Sequence, residues 1–271
     1  MIGDLLLHNN IRNVLENGVW DENPRPVWED TKEPAYSKFI THVNNSYDIS
    51  KGEFPITETK PTFVKSAINE LLWMFQEQSN DLTILREKYN VHWWDNWDIG
   101  DGTIGERYGG TIKKHDLVNK LLNGIKENPY SRRHIIDLWQ EEDFTNTEGL
   151  NPCFVQYIFS VRGDKLDLML TQRSSDLIAS SNIDATQAVA LLMMVASDCG
   201  LTPGKFTWNV ANMHIYDRHI EIAKEIISRD IRTSTPMLVL KEQKSFYDFT
   251  VNDFELVDYK AQGKFRIPLA V

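Results

Sequence analysis

Residues 154–176 read FVQYIFSVRGDKLDLMLTQRSSD, and this stretch decides the fold. Phe154 to Val161 is an aromatic and β-branched run of strand length. Leu166, Leu168 and Leu170 then alternate with other residues, and Arg162-Gly163-Asp164 between the two runs is turn chemistry. The reading is a hairpin in a mostly antiparallel or mixed sheet. Elsewhere in the chain, Ile135-Ile136, Phe206 to Val210, Met237 to Leu240 and Phe254 to Val257 read as further strands. Helices are expected from Ile2 to Asn17, where Gly18 stops the run, and from Val64 to Phe75. In the second, Val64, Ala67, Ile68, Leu71, Leu72 and Phe75 fall on one face. Leu117 to Ile125, the strongly apolar Ala185 to Cys199, and a segment carrying Ile220, Ala223 and Ile227 complete the helices. The polar, proline-dotted stretch from Gly18 to Phe54 reads as loop. Helices and strands mix without regular βαβ alternation, so the expected class is α+β, a mixed sheet with helices packed on it. No repeat, low-complexity tract or linker divides the chain, so a single domain over 1–271 is expected.

Composition bounds the partners. Against 39 Asp and Glu stand 29 Lys and Arg, a formal charge of −10, so the overall field repels nucleic acid and any bound phosphate needs a local basic pocket. Cys153 and Cys199 lie far apart, with no metal-ligand spacing around either and no secretory signal at the start. That pattern suits a reducing cytoplasm better than a disulfide framework, and no metal is expected. The longest apolar run, Ala190 to Ala196, is too short to span a bilayer.

Cys153 opens a strand after Asn151-Pro152. Taken alone, it reads as a small buried hydrophobe. Its company changes the reading, because Arg132-Arg133 upstream and Arg173-Ser174 downstream would lower the thiol pKa and cradle a phosphate. The segments INELLW (68–73), WDNW (94–97), SRRHI (131–135), Pro152-Cys153, QRSSD (172–176) and HIYDRH (214–219) occur in one order over most of the chain. Together they resemble the thymidylate synthase family, and DISKGEFPI (48–56) is similar to the variant of some bacilli and their phages.

The resemblance implies a mixed sheet with packed helices whose face forms a homodimer interface. It also implies one-carbon transfer from methylenetetrahydrofolate to carbon 5 of a pyrimidine deoxynucleoside monophosphate. By that likeness the Cys153 thiolate adds to carbon 6. Arg25, Arg173 and Ser174 hold the 5′-phosphate with Arg132 and Arg133 from the other subunit, where guanidinium forks suit a dianion. His214 and Tyr216 would bind the sugar 3′-hydroxyl. Glu70 would order water and shuttle protons, and Tyr108 would assist proton removal from carbon 5. Asp176, Trp94 and the C-terminal Val271 correspond to positions that contact the folate or close over it.

One departure carries the most information. Eight residues on from Asp176, Asp184 stands where thymidylate synthases place a base-reading asparagine. An amide suits uracil, whereas cytosine, with its amino donor at carbon 4 and acceptor at nitrogen 3, is suited by a protonated carboxyl or by a carboxylate facing an adduct protonated at nitrogen 3. A carboxylate facing uracil's carbonyl would set acceptor against acceptor, costing on the order of 1–3 kcal/mol when buried. Phe154, where many members carry histidine, removes a further donor. Ser181 and Asn182 also depart, and no physical account of them follows from sequence. The pattern is similar to phage deoxycytidylate hydroxymethylases, in which water captures the methylene unit to give 5-hydroxymethyl-dCMP. The expected activity is therefore dCMP hydroxymethylation, with methylation of dUMP to dTMP, or of dCMP, as alternatives that retention of Trp94 keeps open. Two other readings compete: Asp184 as a helix cap, through Asp184-Ala185-Thr186-Gln187, and the whole chain as a silent nucleotide-binding relative. Retention of Cys153, Glu70, Tyr108 and the arginines argues against the second.

Overall fold

The hairpin at residues 154–176 lies within a six-stranded sheet in the computed structural model, which describes residues 2–271. In chain order the strands are β1 (Val19–Trp20), β2 (Ser37–Asp48), β3 (Ile135–Asp137), β4 (Phe154–Arg162), β5 (Lys165–Asp176) and β6 (Thr202–Tyr216), with a separate pair β7 (Met237–Leu240) and β8 (Phe254–Val257). Their spatial order in the large sheet is β1-β2-β6-β5-β4-β3. β4 and β5 pair antiparallel through a turn in which Gly163 takes φ +66, as the Arg-Gly-Asp reading requires. β5 and β6 run parallel, so the sheet is mixed.

Three strands differ from expectation. β1 and β2 fall in the stretch read as loop, and β6 extends well beyond Phe206 to Val210 on both sides. β2 carries few apolar side chains, and only Asn45 and Tyr47 in it are buried. Its place comes from backbone pairing with β6 along nearly its whole length, which leaves no hydrophobic period to read.

The helices are α1 (Ile2–Asn17), α2 (Val64–Leu71), α3 (Leu82–Glu87), α4 (Gly109–Lys114), α5 (Leu117–Glu127), α6 (Glu141–Asn146), α7 (Ser181–Asp198) and α8 (Ile220–Ser228). The stripe expected over 64–75 is present, but from Leu72 to Gln76 the helix relaxes into a π turn. Every residue of α7 except Ile183 and Asp198 is buried, which explains its apolar character on all sides. The polar residues of α7, Asn182, Asp184 and Gln187, must then find partners inside the protein. α7 begins four residues earlier than its apolar run. α2 packs against it, bringing Glu70 onto Gln187 of α7. No described helix is long and apolar enough to cross a membrane.

Candidate active site

Cys153 sits in the turn that enters β4, and its backbone is held at both ends. Its N–H donates to the Tyr108 hydroxyl at 2.9 Å, and its carbonyl accepts from the Arg173 N–H at 2.9 Å. The Arg173 side chain grips the same turn, Nε donating to Pro152 O at 2.8 Å and Nη2 to Asn151 O at 2.7 Å. Arg173 therefore shapes the cysteine turn as well as charging it. Burial pushes the Cys153 thiol above its ordinary pKa; Arg173 and Arg25 pull it down, while Asp184 adds to the rise. This overturns the expectation of a lowered pKa: with the sulfur out of water and a carboxylate nearby, two arginines do not outweigh desolvation.

Tyr108, fully buried, comes from a residue with φ +48 immediately before α4, a conformation that costs a non-glycine residue about 1–3 kcal/mol. The next residue, Gly109, permits the close approach. A Cβ there would stand 2.1 Å from Ser79 O. Gly109→Ala should therefore displace α4, lower stability by about 1–3 kcal/mol or more in urea unfolding, and slow turnover through Tyr108.

Two buried carboxyls belong to the same assembly: Trp94 links Glu70 to Tyr108, and Asp184 lies within Coulombic range of Cys153. Glu70 accepts from Trp94 Nε1 with one oxygen and from Gln187 Nε2 with the other, and burial pushes it up to about 7 against those bonds. Asp184 Oδ2 accepts from Gln172 Nε2 at 2.8 Å and from Ser180 Oγ at 3.1 Å. Gln172 cannot flip, because its Oε1 accepts from Trp208 Nε1 at 2.8 Å. Oδ1 of Asp184 has no hydrogen-bond partner among the described residues. Burial pushes the acid up to about 6, with Gln172, Ser180 and Lys60 opposing. Asp184 is not a cap: the N-cap of α7 is Ser180, and the Asp184 N–H already donates to Ser180 O within the first turn.

At the end of β5, Asp176 Oδ1 accepts from the N–H groups of Ile178 and Ala179 at 2.9 and 3.0 Å, and Oδ2 lies 3.7 Å from His219 Nδ1. Burial would raise this acid, but His219, His214 and those N–H groups hold it down at about 2. Asp176 pairs in register with His214 across the parallel strands, and Ser174 with Asn212. The His214 ring meets Tyr216 edge-on at 5.0 Å. Trp94 meets Tyr108 edge-on at 5.3 Å. Phe154 is buried edge-on against Tyr108 and Tyr157 at 6.1 and 5.9 Å.

The C-terminus folds back here. Val271 exchanges two backbone hydrogen bonds with Val27, at 2.8 and 2.9 Å, and Pro268 O accepts from His219 Nε2 at 2.9 Å. The tail is thereby tied to the segment just beyond Arg25, an exposed cation within Coulombic range of Cys153 and Tyr216. Arg132 and Arg133 are not brought to this site. Both are exposed before β3, at the edge of the sheet opposite β1, and neither bonds to a site residue among the described residues.

Sequence reasoning assigned no role to Gln172, Asn182 or Lys60, and gave Gln187 only a capping role, whereas its amide donates to Glu70. Gln172 lay inside a quoted motif. Lys60 gave no signal, since a lysine in a polar loop reads as solvated, yet it is 3% exposed and its ammonium donates to Asn182 Oδ1.

Comparison with known proteins resolves what this assembly is. The thymidylate synthase family profile matches residues 6–271. The chain belongs to the thymidylate synthase family. It is 47% identical to the thymidylate synthases of Lactococcus lactis subsp. lactis IL1403 and Streptococcus pneumoniae 70585, over 98% of this chain and 99% of each relative. A thermostable thymidylate synthase A from Bacillus subtilis superposes with a TM-score of 0.91 at 33% identity, covering 99% of both chains. As a thymidylate synthase family member, the protein is a one-carbon transferase with methylenetetrahydrofolate as co-substrate. Its residues fit that co-substrate: Asp176 is an ionised acceptor with 16% of its side chain still exposed, suited to the N–H donors of a pterin, and Trp94 offers an aromatic wall.

Proposed function

We propose that the protein methylates dUMP to dTMP, using methylenetetrahydrofolate, and that the site residues named from sequence play the roles their family positions imply. The observation that carries the choice is likeness over the whole length to proteins named thymidylate synthase, which favours this alternative over the dCMP hydroxymethylation expected first. The geometry is compatible with it. With Oδ2 of Asp184 already accepting twice, a proton on this acid belongs on Oδ1, and a neutral Asp184 donates to uracil O4 as an amide does.

In this reading Cys153 Sγ adds to carbon 6, and Tyr108, bonded to the cysteine N–H, stands beside the proton to be removed from carbon 5. Glu70, held neutral or ionised near neutrality, relays protons through ordered water. Arg25, Ser174 and the free Nη1 of Arg173 take the phosphate, joined by Arg132 and Arg133 of a second copy docked on the sheet face. That pairing explains why these two arginines stand exposed, far from their own Cys153. His214 and Tyr216 address the 3′-hydroxyl, while Asp176, Trp94 and Val271 hold and cover the folate. Bound folate supplies the one-carbon unit and, for methylation, the hydride. The two free thiols fit a reducing cytoplasm, and a single domain over 1–271 carries every site residue except the two arginines lent by the second copy.

One observation favours a second reading, dCMP hydroxymethylation: the reader of the base is an acid. Ionised, Asp184 accepts from the cytosine amino group and repels uracil O4. The deciding assay supplies methylenetetrahydrofolate with dUMP or dCMP and follows dihydrofolate absorbance and product mass. Methylated dUMP with matching dihydrofolate is expected. Turnover of dCMP without dihydrofolate would replace this proposal with the second.

A further inference from the structure

Among the described residues, Lys60 is the one buried cation beside these acids that the mechanism leaves unused. It lies in a loop clamped from three directions. From α1, the Asp4 carboxylate accepts from the N–H groups of Glu58 and Thr59 at 3.1 and 3.0 Å. From the C-terminal region, the Lys260 N–H and Ser234 Oγ donate to the Glu58 carboxylate, the latter at 2.7 Å. From α7, Asn182 Nδ2 donates to Thr57 Oγ1 and Thr62 Oγ1 at 3.0 and 2.9 Å, which fixes its Oδ1 on the Lys60 ammonium. Asn182, unexplained from sequence, is the post that holds this cation.

No carboxylate bonds to Lys60 among the described residues. A buried ammonium with a single amide partner is costly, and the charges within Coulombic range that offset it are Asp176 and Asp184. Asp176 stays ionised at every working pH. Asp184 does not, and it follows Asn182 by two residues in the same helical turn. The other titratable groups whose charge couples to Asp184 are Glu70 from α2, Tyr108 before α4, and Cys153 and Tyr157 at β4; each is an acid, so each when ionised disfavours an ionised Asp184. Lys60 is the cation opposing them.

We propose that Lys60 sets the balance between the neutral and ionised forms of Asp184 and thereby the preference of the site for uracil or cytosine. Lys60 is on this view a positioning residue that acts through Asp184, and the effect on base choice rests on the base-reading role given to Asp184 above. The buried Lys60 would make the ionised, cytosine-compatible form accessible, and its loss would return the acid to the neutral, uracil-compatible form.

The test uses the full protein with ¹³C-carboxyl aspartate, which leaves Glu70 silent; the Asp184 resonance is the one lost in Asp184→Asn. Lys60→Met should raise the Asp184 midpoint by about one pH unit, and Lys60→Arg should restore it. The ratio of kcat/KM for dUMP over dCMP should shift along the pH axis with that midpoint. An unmoved midpoint in folded Lys60→Met overturns the proposal. A midpoint that moves while the ratio stays flat with pH in every protein leaves the coupling standing and defeats the base-reading role instead. Should Lys60→Met not fold, reciprocity supplies the same test: Asp184→Asn, nearly isosteric, should lower the titration midpoint of the Lys60 ammonium in ¹³C-lysine spectra, and an unchanged midpoint overturns the coupling equally.

Discussion

Cys153→Ser should cut turnover by on the order of 10³-fold or more while dUMP still binds. The substitution is nearly isosteric, and the backbone bonds from Cys153 N–H to Tyr108 and from Arg173 to its carbonyl do not involve the sulfur, so the turn survives. What is lost is nucleophilicity, because a serine hydroxyl ionises far less readily than a thiol and an addition to pyrimidine carbon 6 needs the anion. Burial and Asp184 keep the free thiol protonated around neutrality. Wild-type turnover should accordingly rise with pH through neutrality as the thiolate becomes accessible. Steady-state assays, with nucleotide binding by calorimetry on the same samples, check both points. Residual turnover near the wild-type rate in Cys153→Ser would remove this residue from the chemistry.

The parts of the fold legible in sequence are those whose stability comes from side-chain pattern. The stripe Val64 to Leu71, the turn at Gly163 and the apolar run in α7 each bury a face that the sequence displays. β2 was not legible, because eleven backbone pairings to β6 hold it and almost no side chains do. The site shows the same division. Motif resemblance singled out Cys153, Asp184, Glu70 and His214, but the pKa of Cys153 was misjudged because the arginines were weighed and desolvation was not. Lys60 was missed since nothing local distinguishes a buried lysine from a solvated one; its burial depends on Asp4 and Asn182, far away in sequence on either side. Arg132 and Arg133 read as phosphate ligands only through the family likeness, and among the described residues their guanidinium groups have no hydrogen-bond partner.

Asp184→Asn should raise preference for dUMP over dCMP by roughly 10- to 200-fold at pH 8, the range set by one buried polar mismatch. Asparagine can keep the local frame: its carbonyl oxygen accepts from Gln172 and Ser180 in place of Oδ2, and Gln172 remains locked by Trp208. The amide N–H₂ then takes the place of Oδ1 and donates to uracil O4 at any pH, whereas the acid donates only when protonated. The advantage of the variant for dUMP should therefore shrink as pH falls below about 6, where Asp184 becomes neutral in the folded protein. Stability carries the same signature with a definite sign. A carboxyl whose folded pKa is raised binds its proton more tightly folded than unfolded, so wild-type stability declines as pH climbs from the unfolded value of 3.8 through about 6. Asparagine lacks that penalty. At pH 8 the variant should be more stable by on the order of 2 kcal/mol, with the two proteins converging near pH 4. If the stability difference appears and the nucleotide ratio does not change, the acid is buried as described but reads no base. If neither changes, its carboxyl does not sit in the environment that Gln172, Ser180 and Lys60 define.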